Sequence, residues 1–322
     1  MKLSWRDAWP LLRQTFAEWS EDKAPRLGAA LAFYTALSIA PLLVLSLRIA
    51  AEVFDEQAAR GEIERQMTSM IGPEGGAAIQ GMIESANRPD SGGGTIATVL
   101  GIATLLFGAS GVFAQLQDAL NTIWEVQPKP GRGVWGVIRD RFLSFAMVLG
   151  IAFLLLVSLI LSAALSFIGS YLQFLPDSLQ IVSQALNLLA STAIITLLFA
   201  MMFKLLPDVE MAWRDVWLGA AVTAVLFTLG KFGIGLYLGR SSMASAYGVA
   251  GSFVVLLVWV YYSAQILFFG AELTQVYANQ HGSRIVPSEH AVAITEEARA
   301  QQGMSRGEES LGPTAGASRA LQ

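Results

Sequence analysis

The chain has 322 residues, no cysteine, a formal net charge of −4, and 14% charged against 54% hydrophobic residues. That composition excludes disulfides, thiol chemistry and Cys-ligated metals, and gives no net basic character for nucleic acid. Soluble domains carry about 25% charged residues, so with a mean hydropathy of +0.51 the chain lacks the polar side chains that a water-facing surface needs.

Residues 1–26 come first. Trp5, Trp9, Leu12, Phe16 and Trp19 recur at steps of four and three, which puts them on one helical face. Arg6, Asp7, Arg13, Glu18 and Glu21 fall elsewhere. A Trp-rich face opposite charge predicts an amphipathic helix in the cytoplasmic membrane interface. Packing of that face against the bundle's own loops is the other reading.

Six long apolar segments follow, at about 27–48, 95–117, 142–168, 179–204, 216–238 and 249–272. Crossing the hydrocarbon takes about 20 helical residues, and unpaired backbone groups are not tolerated in lipid, so each segment is expected to be a helix. The short alternating segments of a β-barrel are absent. The first segment is too long for a signal-peptide core and contains Pro41, so it is read as a retained helix. The expected fold is therefore all-α, a polytopic membrane protein whose six-helix domain spans 27–283.

The connection from about 48 to 94 holds eight acidic and four basic residues. Ile63, Met67 and Met70 suit one short helix, and Ile79, Met82 and Ile83 a second, with a glycine-rich break between them. A small helical external loop is expected there. Residues 284–322 are polar and rich in Glu, Gln, Ala, Ser and Gly, which predicts a cytoplasmic, largely disordered tail with at most a transient helix within 289–302.

The Lys and Arg distribution sets the orientation. Lys2, Arg6, Arg13, Lys23 and Arg26 precede the first segment, and Lys129, Arg132, Arg139 and Arg141 lie between the second and third. Lys204 and Arg214 lie between the fourth and fifth, and Arg284, Arg299, Arg306 and Arg319 are in the tail. These 15 outnumber the 6 on the other side, Arg48, Arg60, Arg65, Arg88, Lys231 and Arg240. An even number of crossings then puts both termini of a multi-pass protein in the cytoplasm.

No HExxH, P-loop or GxSxG motif is present, and the acidic residues are scattered. His281 and His290 both follow the last segment and are expected as solvated tail residues. The reading is of a protein that is not an enzyme, with no catalytic residue, metal site or cofactor. Ionisable residues inside the membrane are the next candidates. Arg48, Lys204 and Glu272 end their segments and suit interfacial anchoring. Lys231 sits about 22 Å along a ~30 Å crossing. A buried, paired or substrate-facing role is one reading, and snorkelling to the outer interface is the other.

Tyr34, Thr35 and Ser38 precede Pro41, whose missing N–H frees a carbonyl one turn earlier. Such a stretch lines a cavity or forms a packed kink. Gln115, Asp118 and Asn121 continue one polar face of the second segment towards Trp124. Gly101, Gly108 and Gly111 in the second segment and Gly230, Gly233 and Gly235 in the fifth suit close helix approach.

Four stretches carry a family resemblance: 28–41 (GAALAFYTALSIAP), 111–124 (GVFAQLQDALNTIW), 231–238, and 247–273 with its LVWVYY and GAEL. Over about residues 5–280 the chain resembles the YihY/virulence factor BrkB family of bacterial inner-membrane proteins. The resemblance implies six membrane helices and a transporter or permease of unknown substrate, a small solute, ion or lipid, linked to envelope integrity. It marks Tyr34, Ser38, Pro41, Gln115, Asp118, Asn121, Trp124, Lys231, Trp259, Tyr261, Gly270 and Glu272 as motif positions. A ribonuclease label once attached to the family conflicts with the absence of a metal-binding carboxylate cluster. Lys231, Tyr34, Thr35, Ser38, Pro41 and Gln115 are the candidate cavity or substrate path. Asp118, Asn121, Trp124 and Glu272 are candidate polar or interfacial positions. The expected partners are the lipid bilayer and an unknown small solute or lipid, with no nucleic acid. Six helices are few for a secondary transporter, which makes a homodimer a candidate assembly. The alternative function is a non-transporting membrane scaffold that binds lipid or envelope proteins.

Overall fold

The computed structural model of the protein describes residues 5–51, 61, 80, 111–129, 177–240, 251–282 and 285–304. Among them the chain is mostly helical: α1 (Trp5–Glu21), α2 (Ala24–Ala51), α3 (111–123), α4 (Asp177–Leu205), α5 (Trp213–Arg240), α6 (Gly251–His281) and α7 (Glu296–Gln301). α2 continues through Pro41, so the proline does not end the helix. Residues 142–168, 95–110 and nearly all of the external loop lie outside the described residues.

The chain is mostly helical, as expected, and two small sheets add to it. β1 (Val126–Pro128) pairs antiparallel with β4 (Ala291–Ala293), and β2 (Val209–Glu210) pairs antiparallel with β3 (Val286–Pro287). Both partner strands come from the tail, so the expectation of disorder from 284 fails for residues 285–304. The physical reason is local. β1 and β2 leave short stretches of unpaired backbone where α3 and α4 end, and the tail supplies the matching donors and acceptors. Residues 305–322 lie outside the described residues.

α6 is the central element, packed on α1, α2 and α5, and α5 packs in turn on α4. The α5–α6 contact is built from a reciprocal pair. A Cβ at Gly219 would overlap the Thr274 hydroxyl, and one at Gly270 would overlap the Thr223 hydroxyl. Each threonine also donates to the carbonyl four residues back on its own helix, Thr223 to Gly219 and Thr274 to Gly270. The hydroxyl is thus satisfied within its helix and free to press its methyl and oxygen against the facing glycine. Gly230 has the same close role against Tyr262 and Ile266, whereas Gly233 faces open space. The packing role expected for Gly233 is therefore not seen among the described residues.

An aromatic series ties the bundle together across helices. Trp124 meets Phe203 at 5.9 Å, Phe203 meets Phe199 at 6.2 Å, Phe199 meets Phe227 at 5.7 Å, and Phe227 meets Trp259 at 6.5 Å. These separations suit favourable ring pairing. Outside this core, Phe33, Leu37, Leu188, Leu189, Val225, Leu229 and Phe232 are exposed along three helices, α2, α4 and α5. Large exposed apolar area of this kind is foreign to a water-soluble monomer.

In α1 the residues Trp9, Leu12 and Phe16 are exposed, while Leu11 and Thr15 are buried. Leu11 packs on Leu273 and Val276 of α6. The face is therefore split: Trp9, Leu12 and Phe16 are exposed, while Trp19 packs on the main core.

Gly270→Val should lower the melting temperature of the detergent-solubilised protein, because overpacking a tight contact costs about 1–3 kcal/mol. Gly233→Ala should be neutral or stabilise by about 0.5–1 kcal/mol. Scanning fluorimetry of both variants checks the contrast, and equal shifts would refute the reciprocal packing.

Candidate functional site

Two constellations hold the polar chemistry of the described residues. The first closes one end of the bundle. Asp22, in the turn between α1 and α2, accepts from Arg299 Nη2 at 2.6 Å. Glu125, just past α3, accepts from Arg299 Nη1 at 3.4 Å. Arg299 and Asp22 are each 2% exposed. Arg299 reaches this place from α7, a single helical piece started by Thr295, whose hydroxyl accepts from Ala298 N. The helix ends at Gly303 (φ 72), with Met304 N donating to the Arg299 carbonyl. The positive φ there suits glycine.

Lys23 (φ 53) and Glu125 (φ 56) hold the left-handed conformation that costs most residues energy. Each lies in a turn that delivers a carboxylate to Arg299. The strain is held because both turns are pinned by the same guanidinium. Further ties reinforce the end. Asn121 donates to Asp208 Oδ2 at 3.0 Å and accepts from Asp208 N at 2.8 Å, which joins α3 to the α4–α5 connection. Lys204 donates to the Met211 carbonyl at 2.6 Å across that same connection. Ile294 N donates to the Glu125 carbonyl, and Ser288 N to the Asp208 carbonyl.

Burial pushes the Asp22 carboxyl up to about 7, a rise that the charge and hydrogen bond of Arg299 only partly offset and to which Glu125 and Glu18 add. Burial works against the Arg299 charge, yet the charges of Asp22 and Glu125 and the Asp22 hydrogen bond outweigh it and hold the guanidinium above its usual value.

Beside this end lies Glu272, 0% exposed, with neither carboxyl oxygen hydrogen-bonded among the described residues. The expectation of an interfacial anchor fails, because α6 continues nine residues past it to His281 and packs under α1. His281 is half-buried and stacks on Tyr277 at 5.5 Å, and His290 is half-buried with its carbonyl accepting from Lys129 N. Neither is a solvated tail residue.

The second constellation surrounds Lys231. It is half-buried in α5 and lines a notch of about 270 Å³ between α4 and α5, with Ser191, Thr192, Phe227 and Thr228. Its ammonium lies 5.8 Å from the centre of the Phe232 ring. The Thr192 and Thr228 hydroxyls donate back to Leu188 and Ala224 of their own helices. Their oxygens are left as acceptors, and Lys231 is the charged donor of the notch among the described residues.

The other candidates stand apart from Lys231. Thr35 donates to the Leu31 carbonyl and Ser38 to the Thr35 carbonyl, both within α2. Tyr34 is exposed and lies against Gly111 of α3, where an added Cβ would come within 3.3 Å of its ring. Gln115 is half-buried on α3, and nothing is described of the Pro41 side chain. Asp118 is exposed and its carbonyl accepts from Thr122, while Asn121 and Trp124 are buried. Asp22, Glu125, Asp208 and Arg299 were not among the sequence candidates. The periodic signal that marks apolar faces does not mark charges that meet across long stretches of chain.

Long helices with exposed apolar flanks, two of them (Trp213–Ile234 and Phe253–His281) apolar and long enough to cross a bilayer, point to the class of membrane proteins. Residues 15–295 match the virulence factor BrkB family, and the chain belongs to it. A UPF0761 membrane protein of Ralstonia nicotianae is 26% identical over 82% of this chain and 57% of its own length. One from Alcanivorax borkumensis is 26% identical over 85% of this chain and 62% of its own. The chain thus spans about three-fifths of the length of these relatives. A UPF0761 membrane protein of Pseudoalteromonas translucida is 29% identical over 76% of this chain and 78% of its own length. No solved structure matches the chain.

Arg299→Ala should destabilise the protein by about 3–5 kcal/mol, because it strands buried carboxylates. The pair Arg299→Met with Asp22→Leu should recover most of that loss. Thermal melting together with limited proteolysis of 285–304 measures both. The folded protein holds the Asp22 proton to higher pH than the unfolded chain does. Its contribution to stability is therefore full below about pH 4 and lost as pH rises towards about 7. Wild type should lose melting temperature relative to Asp22→Asn across that window, and parallel profiles would refute the shift.

Proposed function

We propose that this membrane protein is a non-enzymatic transporter or permease, and that it moves a small solute carrying negative charge past Lys231. The observation that carries this reading is the Lys231 notch. A lysine on an apolar helix is costly unless paired or set against a water-filled path. No hydrogen bond or ion pair holds Lys231 among the described residues. Its surroundings instead offer an opening with hydroxyl oxygens and an aromatic face. An anionic group of a solute supplies the missing counter-charge.

The topology that goes with this reading has six crossings and both termini in the cytoplasm of the bacterial inner membrane. It is supported by the meeting of the N-terminal turn, the α3–β1 end, the α4–α5 connection and the tail, the four regions that together carry 15 of the 21 Lys and Arg residues, at one end of the bundle. The scaffold reading draws on the exposed Trp9, Leu12 and Phe16 of α1, which suit attachment to a membrane surface.

Reconstituted vesicles loaded with phosphate, chloride, carboxylates and labelled lipids test the choice. Wild-type protein should move at least one anionic solute above empty vesicles. Lys231→Met should cut that flux by about tenfold or more, and Lys231→Arg should retain most of it. No flux for any of these substrates would favour the scaffold.

A further inference from the structure

The Arg299 end of the bundle gathers carboxyls around a single guanidinium. Asp22 and Glu125 accept from Arg299 directly. Glu18 of α1 and Glu272 of α6 lie within the same electrostatic field. Were all of them ionised, the acidic side chains would outnumber the basic one in this cluster.

Glu272 differs from the other three. It stands two residues from Gly270, where α6 meets Thr223 of α5, and it is 0% exposed. Glu125, by contrast, keeps 31% of its side chain exposed, and Glu18 is half-buried. Neither Glu272 oxygen has a hydrogen-bond partner among the described residues. Arg299 commits Nη1 to Glu125 and Nη2 to Asp22, and its Nε is also buried without a partner. An unmet carboxyl and an unmet guanidinium N–H thus share one cluster without bonding each other.

A carboxylate here would be a full charge taken out of water, with no donor on either oxygen and acidic neighbours on several elements. Such a charge carries a large desolvation cost that nothing at Glu272 offsets. An ionised Glu272 would also draw in the spare Arg299 N–H, because charge-assisted hydrogen bonds are the strong ones. The geometry shows neither compensation. A proton on Glu272 removes the charge, ends the repulsion from Asp22, Glu18 and Glu125, and leaves Arg299 to the carboxyls it already holds.

We propose that Glu272 is a proton-binding site: its carboxyl carries a proton in the closed bundle, and that proton exchanges with water by way of Asp22 and Glu125. The ligand follows from the donor set. A metal cation needs several oxygen ligands, and no three His, Asp or Glu side chains come together to hold one among the described residues. A proton needs a single oxygen. The route follows from exposure. Glu125 reaches solvent, Arg299 joins it to Asp22, and burial lets Asp22 load and unload a proton near about 7. Buried ionisable side chains of membrane helices form proton relays of this kind. The site is independent of the transport reading, since Glu272 binds its proton whether or not a solute passes Lys231.

Infrared spectroscopy of the full chain in lipid vesicles tests the site. The C=O stretch of a protonated carboxylic acid is resolved from the amide and carboxylate bands. Protein grown with glutamate carrying heavy carbon at its side-chain carboxyl separates Glu272 from Asp22, because only a glutamic acid band shifts. At neutral pH the wild type should show such a band. Glu272→Gln should lose it, and Glu18→Gln and Glu125→Gln should keep it. Glutamine has the shape of the neutral acid, so Glu272→Gln should melt like wild type. Should that variant fail to fold, the label and the band retained in the other two variants make the assignment. Transfer to heavy water should shift the band as the acid proton exchanges. Absence of a glutamic acid band at neutral pH, or its persistence in folded Glu272→Gln, would overturn the proposal. So would its loss in Glu18→Gln or Glu125→Gln, which would place the proton elsewhere, or a band that never responds to heavy water, because the proton would then be fixed. A band that the label shifts, Glu272→Gln removes and heavy water moves upholds it.

Discussion

The α5–α6 contact is the constraint on which the rest of the bundle depends. Gly219 and Thr223 on one helix meet Thr274 and Gly270 on the other, so each helix offers a notch and a knob in opposite order. In lipid there is little hydrophobic drive between helices, and close approach through small residues is a main source of attraction. The threonines add no unmet donor, because each hydroxyl bonds its own helix. Once α5 and α6 are fixed, the other positions follow. α6 presents Gln265 to Gly28 of α2 and Leu273 to Leu11 of α1, and α5 presents Phe227 to Phe199 of α4.

The end closed by Arg299 solves a different problem. Helix ends and the short turns between them carry backbone groups that the helices cannot satisfy. Here the tail satisfies them by adding a strand to each of two connections, and then inserts Arg299 between two turns held at positive φ. The outcome is that segments separated by more than 270 residues, Asp22 and Arg299, share one buried ion pair. A buried pair contributes little net stability over an apolar substitute, but removing one member is costly. Its effect is therefore specificity of assembly: the end closes with this tail in this register or leaves carboxylates stranded.

How much of this was legible follows from what hydropathy measures. The apolar segments at 27–48, 179–204, 216–238 and 249–272 each contain or closely match a helix, because runs of apolar residues and helix coincide in a lipid solvent. Hydropathy ends the last segment at Glu272, nine residues before α6 ends at His281. Thr274 and Gln275 are polar, so hydropathy falls, yet both are buried against protein. The periodic face of α1 was readable as a pattern, but a pattern does not say which side packs, and it is the Leu11 and Thr15 side that does. The tail was opaque for a deeper reason. Arg299 looks like any other arginine in a polar segment until Asp22 and Glu125 are brought to it by folding. Gln265 is likewise one neutral polar residue in an apolar run, and nothing in its spacing shows that its amide is unmet.

Glu272 joins the two halves of the structure. It lies two residues from Gly270, at the closest point of α5 and α6, and it also lies within the field of Asp22, Glu18, Glu125 and Arg299. Three of those groups are carboxyls and repel a negative charge at Glu272, and Arg299 alone attracts one. The guanidinium that closes the bundle end is thus also the counterweight to the acidic side chains around the buried carboxyl. A buried carboxyl with no hydrogen-bond partner is costly in a soluble core and costlier near lipid. Its place under the Arg299 closure makes the docked tail part of the same physical unit as the membrane helices.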